Sequence, residues 1–356
     1  MRWTTIVPAV AMAALVLTFG REINGVLVVV DALILAAAVL AAVHHAEVIA
    51  HKVGEPFGSL VLAVAVTVIE VALIISVMIS SGPKGATLAR DTAFSAMMIC
   101  CTGIVGACLL TTALRHRTAV FNAEGTGGML ATVAALVTLT MVLPTLTTSA
   151  HGPKFSGAQL AFAAVASLTL YGLFVLTQTV RHRDYFLPVT DDGGIVEDDH
   201  AEPPSAKETK TSLLLLLISL VSVVGLAKVE SPVIERGVQN AGLPHAVVGV
   251  VIALLVLLPE TLAAVRAARR DRTQTALNLA LGSATASIGL TIPAIALASI
   301  WVKGPLELGL GPTQIALLVL TVVVSALTIV PGRATLLQGG LHLVIFAAFI
   351  FLTISP

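Results

Sequence analysis

The sequence predicts an all-α polytopic membrane protein with about eleven transmembrane helices: one outlying helix followed by two inverted five-helix repeats. Three observations carry this. Hydrophobic residues make up 57% of the 356 residues, mean hydropathy is +0.99, and the 11% that are charged cluster between long apolar runs. Runs of about 20 apolar residues match a hydrocarbon core of about 30 Å. Two of these runs are each interrupted by a lone glutamate, and the two interruptions sit at matching places in the two halves of the chain.

The apolar segments fall at 5–20, 24–43, 58–80, 93–114, 128–148, 157–180, 211–228, 244–266, 275–302, 313–331 and 335–355. The first carries one arginine, an apolar stretch and small residues, as a signal peptide does; with many spans following, it reads as an uncleaved helix. Asp31 lies about two turns inside the second, where snorkelling or a misplaced boundary accounts for it. The fourth holds all three cysteines, Cys100, Cys101 and Cys108. Their spacing fits no zinc pattern, so they read as small packing residues. The acidic, Gly- and Pro-containing stretch "DDGGIVEDDHAEPPSAKE" within Arg181 to Lys210 reads as a solvated linker and lacks the spacing of an EF-hand loop. The expected organisation is therefore an outlying helix at 1–20, a first repeat at 21–180, the linker at 181–210 and a second repeat at 211–356.

A formal net charge of zero gives no basic field for nucleic acid. With an odd number of spans, thirteen Lys and Arg share the N-terminal side and seven lie opposite. The positive-inside rule then places the N-terminus and acidic loop in the cytoplasm. The expected location is a plasma membrane, the inner membrane of a bacterium.

The two interrupted runs are "VLAVAVTVIEVALIISV", with Glu70, and "HAVVGVVIALLVLLPETLAAV", with Glu260. A shift of 190 residues superposes the acids. Each glutamate helix is followed by a charged turn and then by a helix rich in small and hydroxyl residues. Weak internal symmetry with inverted topology marks secondary transporters that bind their cargo near the midplane. An ionised carboxylate in a low-dielectric core costs several kcal/mol or more, and neither helix offers a cation near its acid. Each acid must therefore bind a proton or a metal cation, and competition between the two is a mechanism for exchange. A hard cation such as calcium wants about 6–8 oxygen ligands. Candidates for the remainder are Thr67, Thr261, the Leu255 carbonyl freed by Pro259, the Ser283–Ser287–Thr291 face, and Asn278, Gly282 and Thr285 on a neighbouring face. Gly58, Gly103, Gly282 and Gly289 allow close helix approach. Intramembrane hydroxyls also commonly bond their own i−4 carbonyl, and a single buried acid can be a protonated helix contact.

Weaker features surround these. His44, Glu47 and His51 share one helical face leading towards Glu70, as a cation or proton funnel or as a wetted interfacial turn. Glu55, before Pro56, fits a helix start and gives a further acid on the access route. No H-E-x-x-H motif occurs, which disfavours an intramembrane hydrolase; a passive channel suits paired midplane acids less well.

"VGEPFGSLVLAVAVTVIEVALI", "RDTAFSAMMICCTGIVG" and "PETLAAVRAARRDRTQTALNLALGSATASIGLTIP" resemble bacterial calcium/proton antiporters of the ChaA type, CAX-like members of the calcium/cation antiporter superfamily. The resemblance covers most of the chain, including the closing "GRATLLQGGLHLVIFAAF". It implies calcium export in exchange for protons, with no cofactor beyond the transported ions. It also implies an essential glutamate in each signature pair, matching Glu70 and Glu260, with small polar positions matching Gly103, Gly282 and Ser283. Two positions depart from the pattern. Val66 and Thr67 replace the Gly-Asn-x-x-Glu form, and Thr102 stands where relatives carry asparagine. Sodium or potassium/proton exchange on the same scaffold is the alternative.

Overall fold

A computed structural model describes residues 3–21, 25–54, 57–188, 204–301 and 306–356. It is almost wholly helical. The first half runs α1 (Trp3–Thr18), α2 (Val26–Val53), α3 (Phe57–Ser81), α4 (Leu88–Met98), α5 (Val105–His116), α6 (Ala123–Val137), α7 (Leu143–Leu146) and α8 (Gly157–Leu176). The second runs α9 (Ala206–Asn240), α10 (Ala246–Val256), α11 (Leu258–Arg269), α12 (Thr273–Ala298), α13 (Pro312–Ile329) and α14 (Leu336–Ile354). Among the described residues nine helical stretches are long and apolar enough to cross a membrane, or ten when α10 and α11 are taken as one bent span. The shorter α1 is also apolar, but at 16 residues it is only about 24 Å long.

The polar ends of these helices are set by local chemistry. The Asn122 side chain accepts from the amides of Glu124 and Gly125 to start α6. Ser156 with Gln159, and Ser205 with Glu208, close capping boxes at α8 and α9. α4 and α5 are one span joined through a π-helical turn, Ile99–Ile104. Such turns insert a residue, re-aim the backbone and concentrate at functional sites.

Three segments differ from the hydropathy reading. α2 continues ten residues past 43, so His44, Glu47 and His51 extend that helix beyond the expected span. α9 continues to Asn240, because Glu230 and Ser231 are buried against neighbouring helices instead of ending the span. The segment 244–266 is not one rod: it breaks at Leu257 with a 55° bend, and Pro259 stands in the first turn after the break. The all-helical expectation also misses a small antiparallel ribbon, β1 (Thr118–Val120) with β2 (Arg333–Thr335), paired Ala119 to Ala334.

The buried side chains form two hydrophobic bodies. One gathers α4 to α6, α8 and α11 to α14 with a face of α10; the other gathers α1, α2 and α9 with faces of α3 and α10. α3 contributes to both, Ile74 to the first and Ile69, Leu73 and Val77 to the second. α3 packs on α12, and α10 packs on α4, so each glutamate span leans on the small-residue helix of the opposite half. Gly249 makes the second contact possible: a Cβ there would stand 2.8 Å from the Asp91 carbonyl carbon.

The loop contacts sort the charges. Arg115 and His116 reach Asp271, with His116 Nε2 at 2.7 Å from Oδ1, on the face that carries the β ribbon. Lys154 pairs with Glu307 at 3.2 Å, and Arg90 donates to the Gly309 carbonyl, on another.

Candidate cation site

Glu70 lies in the middle of the unbroken α3 and is 2% exposed. Its position follows from the helix: every residue for several turns on either side is apolar or hydroxylic, so the span has no polar rim to which the carboxylate could snorkel. Ser287 Oγ of α12 donates to Glu70 Oε2 at 2.7 Å. Thr291, one turn further along α12, is fully buried and faces the same carboxylate, yet its hydroxyl closes no hydrogen bond of full geometry. Glu70 Oε1 is buried without a hydrogen-bond partner.

Glu260 is placed differently. It occupies the first turn of α11, immediately after the break at Leu257. The break follows from Pro259, which has no amide hydrogen to offer the Leu255 carbonyl. The result is a half-helix whose positive end lies beside the acid and favours its charge. Glu260 Oε2 is nevertheless buried without a partner. The two glutamates stand close enough for their charges to act on each other, and Cys100, in the π-helical turn, feels both. One buried oxygen on each acid is thus left unsatisfied, and the two acids lie within electrostatic range of each other. Buried polar atoms are normally paired, so the pair is suited to a shared cationic guest.

The supporting residues divide. Ser287 is in direct contact with Glu70, and Thr67, one turn before Glu70, is buried. Gly282 and Ser283 are half-buried on α12, and a Cβ at Gly282 would meet nothing within 4 Å. Gly282 therefore opens space beside Ser283 rather than bringing helices together, unlike Gly58, whose Cβ would strike the Ala50 carbonyl at 2.5 Å. Gly103 lies against the Phe346 ring. Three hydroxyls expected near the acids are already committed to their own helices: Thr102 to the Met98 carbonyl, Thr261 to that of Leu257 and Thr285 to that of Leu281. Asn278 is also committed elsewhere. Its Nδ2 donates to the Phe186 carbonyl at 2.6 Å and its Oδ1 accepts from Gln274, so its amide ties α12 to the turn after α8. Among the described residues no three His, Cys, Asp or Glu side chains converge. Ser287 and Thr291 are the hydroxyls that face Glu70.

The expected access face also divides. Glu47 lies within electrostatic reach of Glu260 and of Arg266. His44, 4.0 Å from Glu47, and His51 instead line a cavity of about 800 Å³ with Thr4, Lys207 and Thr211. His45 is buried there between the Thr4 carbonyl and Ser212. Glu55 and the acidic centre of the linker lie outside the described residues. Sequence reasoning passed over the π-helical turn and His342, whose Nδ1 lies 2.9 Å from the Cys101 carbonyl in that turn. A lone histidine in "QGGLHLVIF" carried no spacing signal.

Comparison with known proteins places this arrangement. The chain matches the sodium/calcium exchanger protein family over residues 23–180 and 211–355. It is 42% identical to a Sinorhizobium fredii chain named only as an ionic transporter, y4hA, over 99% of this chain and 96% of that one. It is 32% identical to the sodium-potassium/proton antiporter ChaA of Escherichia coli, over 97% and 94%. The solved structure of native YfkE, a protein named as a Ca2+/H+ antiporter, superposes with a TM-score of 0.72 at 16% identity, covering 99% of this chain and all of that one. This multi-pass membrane protein is a transporter rather than an enzyme, and it belongs to the sodium/calcium exchanger family, within the calcium/cation antiporter superfamily.

Proposed function

We propose that this cation exchanger moves calcium out of the cell against inward protons, with Glu70 and Glu260 as the shared site. The observation that supports the reading is a buried, unsatisfied carboxylate oxygen on each of two acids within electrostatic range of each other, with no Lys or Arg paired to either acid among the described residues. Without a metal the pair holds protons. A divalent cation neutralises both charges and displaces them, so cation and proton exclude each other at one place. α3 belongs to both hydrophobic bodies, and displacement of one body against the other is the general route to alternating access. The site residues are Glu70, Glu260, Ser287 and Thr291, with Thr67, Gly103, Gly282 and Ser283 around them. The two halves act as inverted repeats, with α1 outside them. The N-terminus, the acidic linker and the β ribbon face the cytoplasm of a bacterial inner membrane.

The test is proton-driven calcium uptake into inverted vesicles. Glu70→Gln and Glu260→Gln each abolish it; retained uptake in either variant overturns the site.

A monovalent reading is favoured by one observation. The Thr102 hydroxyl is spent on the Met98 carbonyl, so the fourth span brings no free side-chain oxygen from that position to a divalent ion. Dissipation of a pH gradient by calcium, sodium and potassium, each added alone, separates the two readings.

A further inference from the structure

A second pair of buried acids lies away from Glu70 and Glu260. Asp31, on α2, is 3% exposed, and Glu230, on α9, is 2% exposed. Hydropathy placed the first near a helix end and the second in a loop. The extended α9 instead brings Glu230 into the interface with α2, within electrostatic range of Asp31. Asp31 Oδ2 and Glu230 Oε1 are each buried without a hydrogen-bond partner.

The surrounding charges are occupied or absent. On α9, Lys228 Nζ sits over the Phe19 ring at 5.6 Å, Arg236 Nε donates to the Pro232 carbonyl at 3.2 Å, and Glu235 accepts from Ser80 and Ser81. α1 and α10 carry no ionisable side chain, and Glu70 is the only one on α3. On α11, which also touches α2, Glu260 belongs to the cation site, and Arg266 acts on Glu47. On α2 itself, His44, His45, Glu47, His51 and Lys52 lie several turns away along the helix. Among the described residues, therefore, no cation neutralises the pair, and no third ligating side chain joins it to hold a metal.

Two ionised carboxylates buried within electrostatic range of each other repel, and each loses its hydration. One proton removes the repulsion and supplies the donor that an orphaned oxygen lacks. We propose that Asp31 and Glu230 form a second proton-binding site, which holds a proton between α2 and α9 and is separate from the cation pair. The site lies within the smaller hydrophobic body, so its occupancy sets how tightly α2 is held to α9.

Infrared difference spectroscopy of the purified protein in lipid, titrated from acidic to alkaline buffer, reads protonated carboxyl groups directly. In the Glu70→Gln/Glu260→Gln background a carboxylic C=O band persists at neutral pH, where exposed carboxylates are ionised, and adding Asp31→Asn or Glu230→Gln removes it. A band already absent in that background, or one untouched by both additions, overturns the proposal. Glu230→Asp covers the case in which the amide variants do not fold: it keeps the acid on a shorter arm, so the band must move, and an unmoved band overturns the proposal equally. Because the cation pair is already neutralised in this background, failure here is distinguishable from failure of Glu70 and Glu260 as the transport site.

Discussion

The two glutamate spans reach the same neighbourhood by different means. Glu70 rides on a continuous 25-residue helix and is fixed by a hydroxyl from the opposite half, Ser287. Glu260 stands at the start of a half-helix, after a 55° break, and is supported by the positive helix end. The first acid is held rigidly by side-chain contact; the second is presented by an irregular backbone that also frees a carbonyl. A repeated sequence element has thus given one anchoring half and one adaptable half, and the difference predicts how each responds to change.

The largest effect is loss of the acids. Glu70→Gln and Glu260→Gln remove the groups that proton and cation compete for, so both reduce exchange in vesicles to background. The comparison is sharpened by shortening the arm instead. Glu70→Asp withdraws the carboxylate from Ser287 on a helix that cannot follow, and transport falls to near background. Glu260→Asp sits at a bend whose backbone can adjust, so a measurable fraction of transport survives. Equal residual rates in the two aspartate variants would break the proposed asymmetry.

Next comes the break itself. Pro259→Ala restores the amide that Leu255 lacks and favours one continuous helix through α10 and α11. Folding is retained, because alanine fits a helix and proline inside one costs about 3 kcal/mol. Transport falls about tenfold or more as Glu260 is re-aimed and the carbonyl is closed, on the scale of about 1.4 kcal/mol per tenfold. Vesicle uptake alongside circular dichroism checks both halves of this expectation. A control in the unbroken first-half helix, Val68→Ala, two residues before Glu70 and 45% exposed, alters no hydrogen bond and leaves the rate nearly unchanged.

A smaller effect follows from Ser287. A hydrogen bond to a charged group contributes about 1.5–3 kcal/mol, so Ser287→Ala weakens apparent cation affinity by about tenfold or somewhat more while the protein still turns over. Thr285→Ala, one turn away in bonding pattern but committed to the Leu281 carbonyl, leaves affinity within about twofold. Measuring the half-saturating cation concentration in both variants separates a hydroxyl that faces the acid from one that faces its own helix.

These contrasts also show which parts of the molecule are legible in a sequence. Hydropathy and the 190-residue shift found the membrane class, most spans and the two glutamate runs, because a lone charge in an apolar run has few structural explanations. The i, i+4 spacing of Ser287 and Thr291 put both on one face of α12, and that face meets Glu70. The boundaries of α9 were not legible, since Lys228, Glu230 and Glu235 together look like the end of a span, although Glu230 is buried against neighbouring helices. Asn278 was misjudged for a related reason: composition shows that an amide is present on a polar face, not that Phe186 and Gln274 have already taken it. The π-helical turn left no trace in the sequence at all, because one inserted hydrogen-bond register changes no residue pattern.

The smallest effect concerns Glu47, which is 54% exposed and lies within electrostatic reach of Glu260 and of Arg266. It is no ligand, and an exposed carboxylate acts at long range through the field it adds rather than through a bond. Its negative charge raises the local concentration of cations near the adaptable half and leaves the Glu70 half unaffected. Glu47→Gln therefore lowers the initial rate of uptake about two- to threefold at low ionic strength, with the saturating rate unchanged. The deficit fades as salt shortens the Debye length to about 8 Å. A rate loss that persists at high salt would mean that Glu47 touches the cation directly, making three acids rather than two the core of the site.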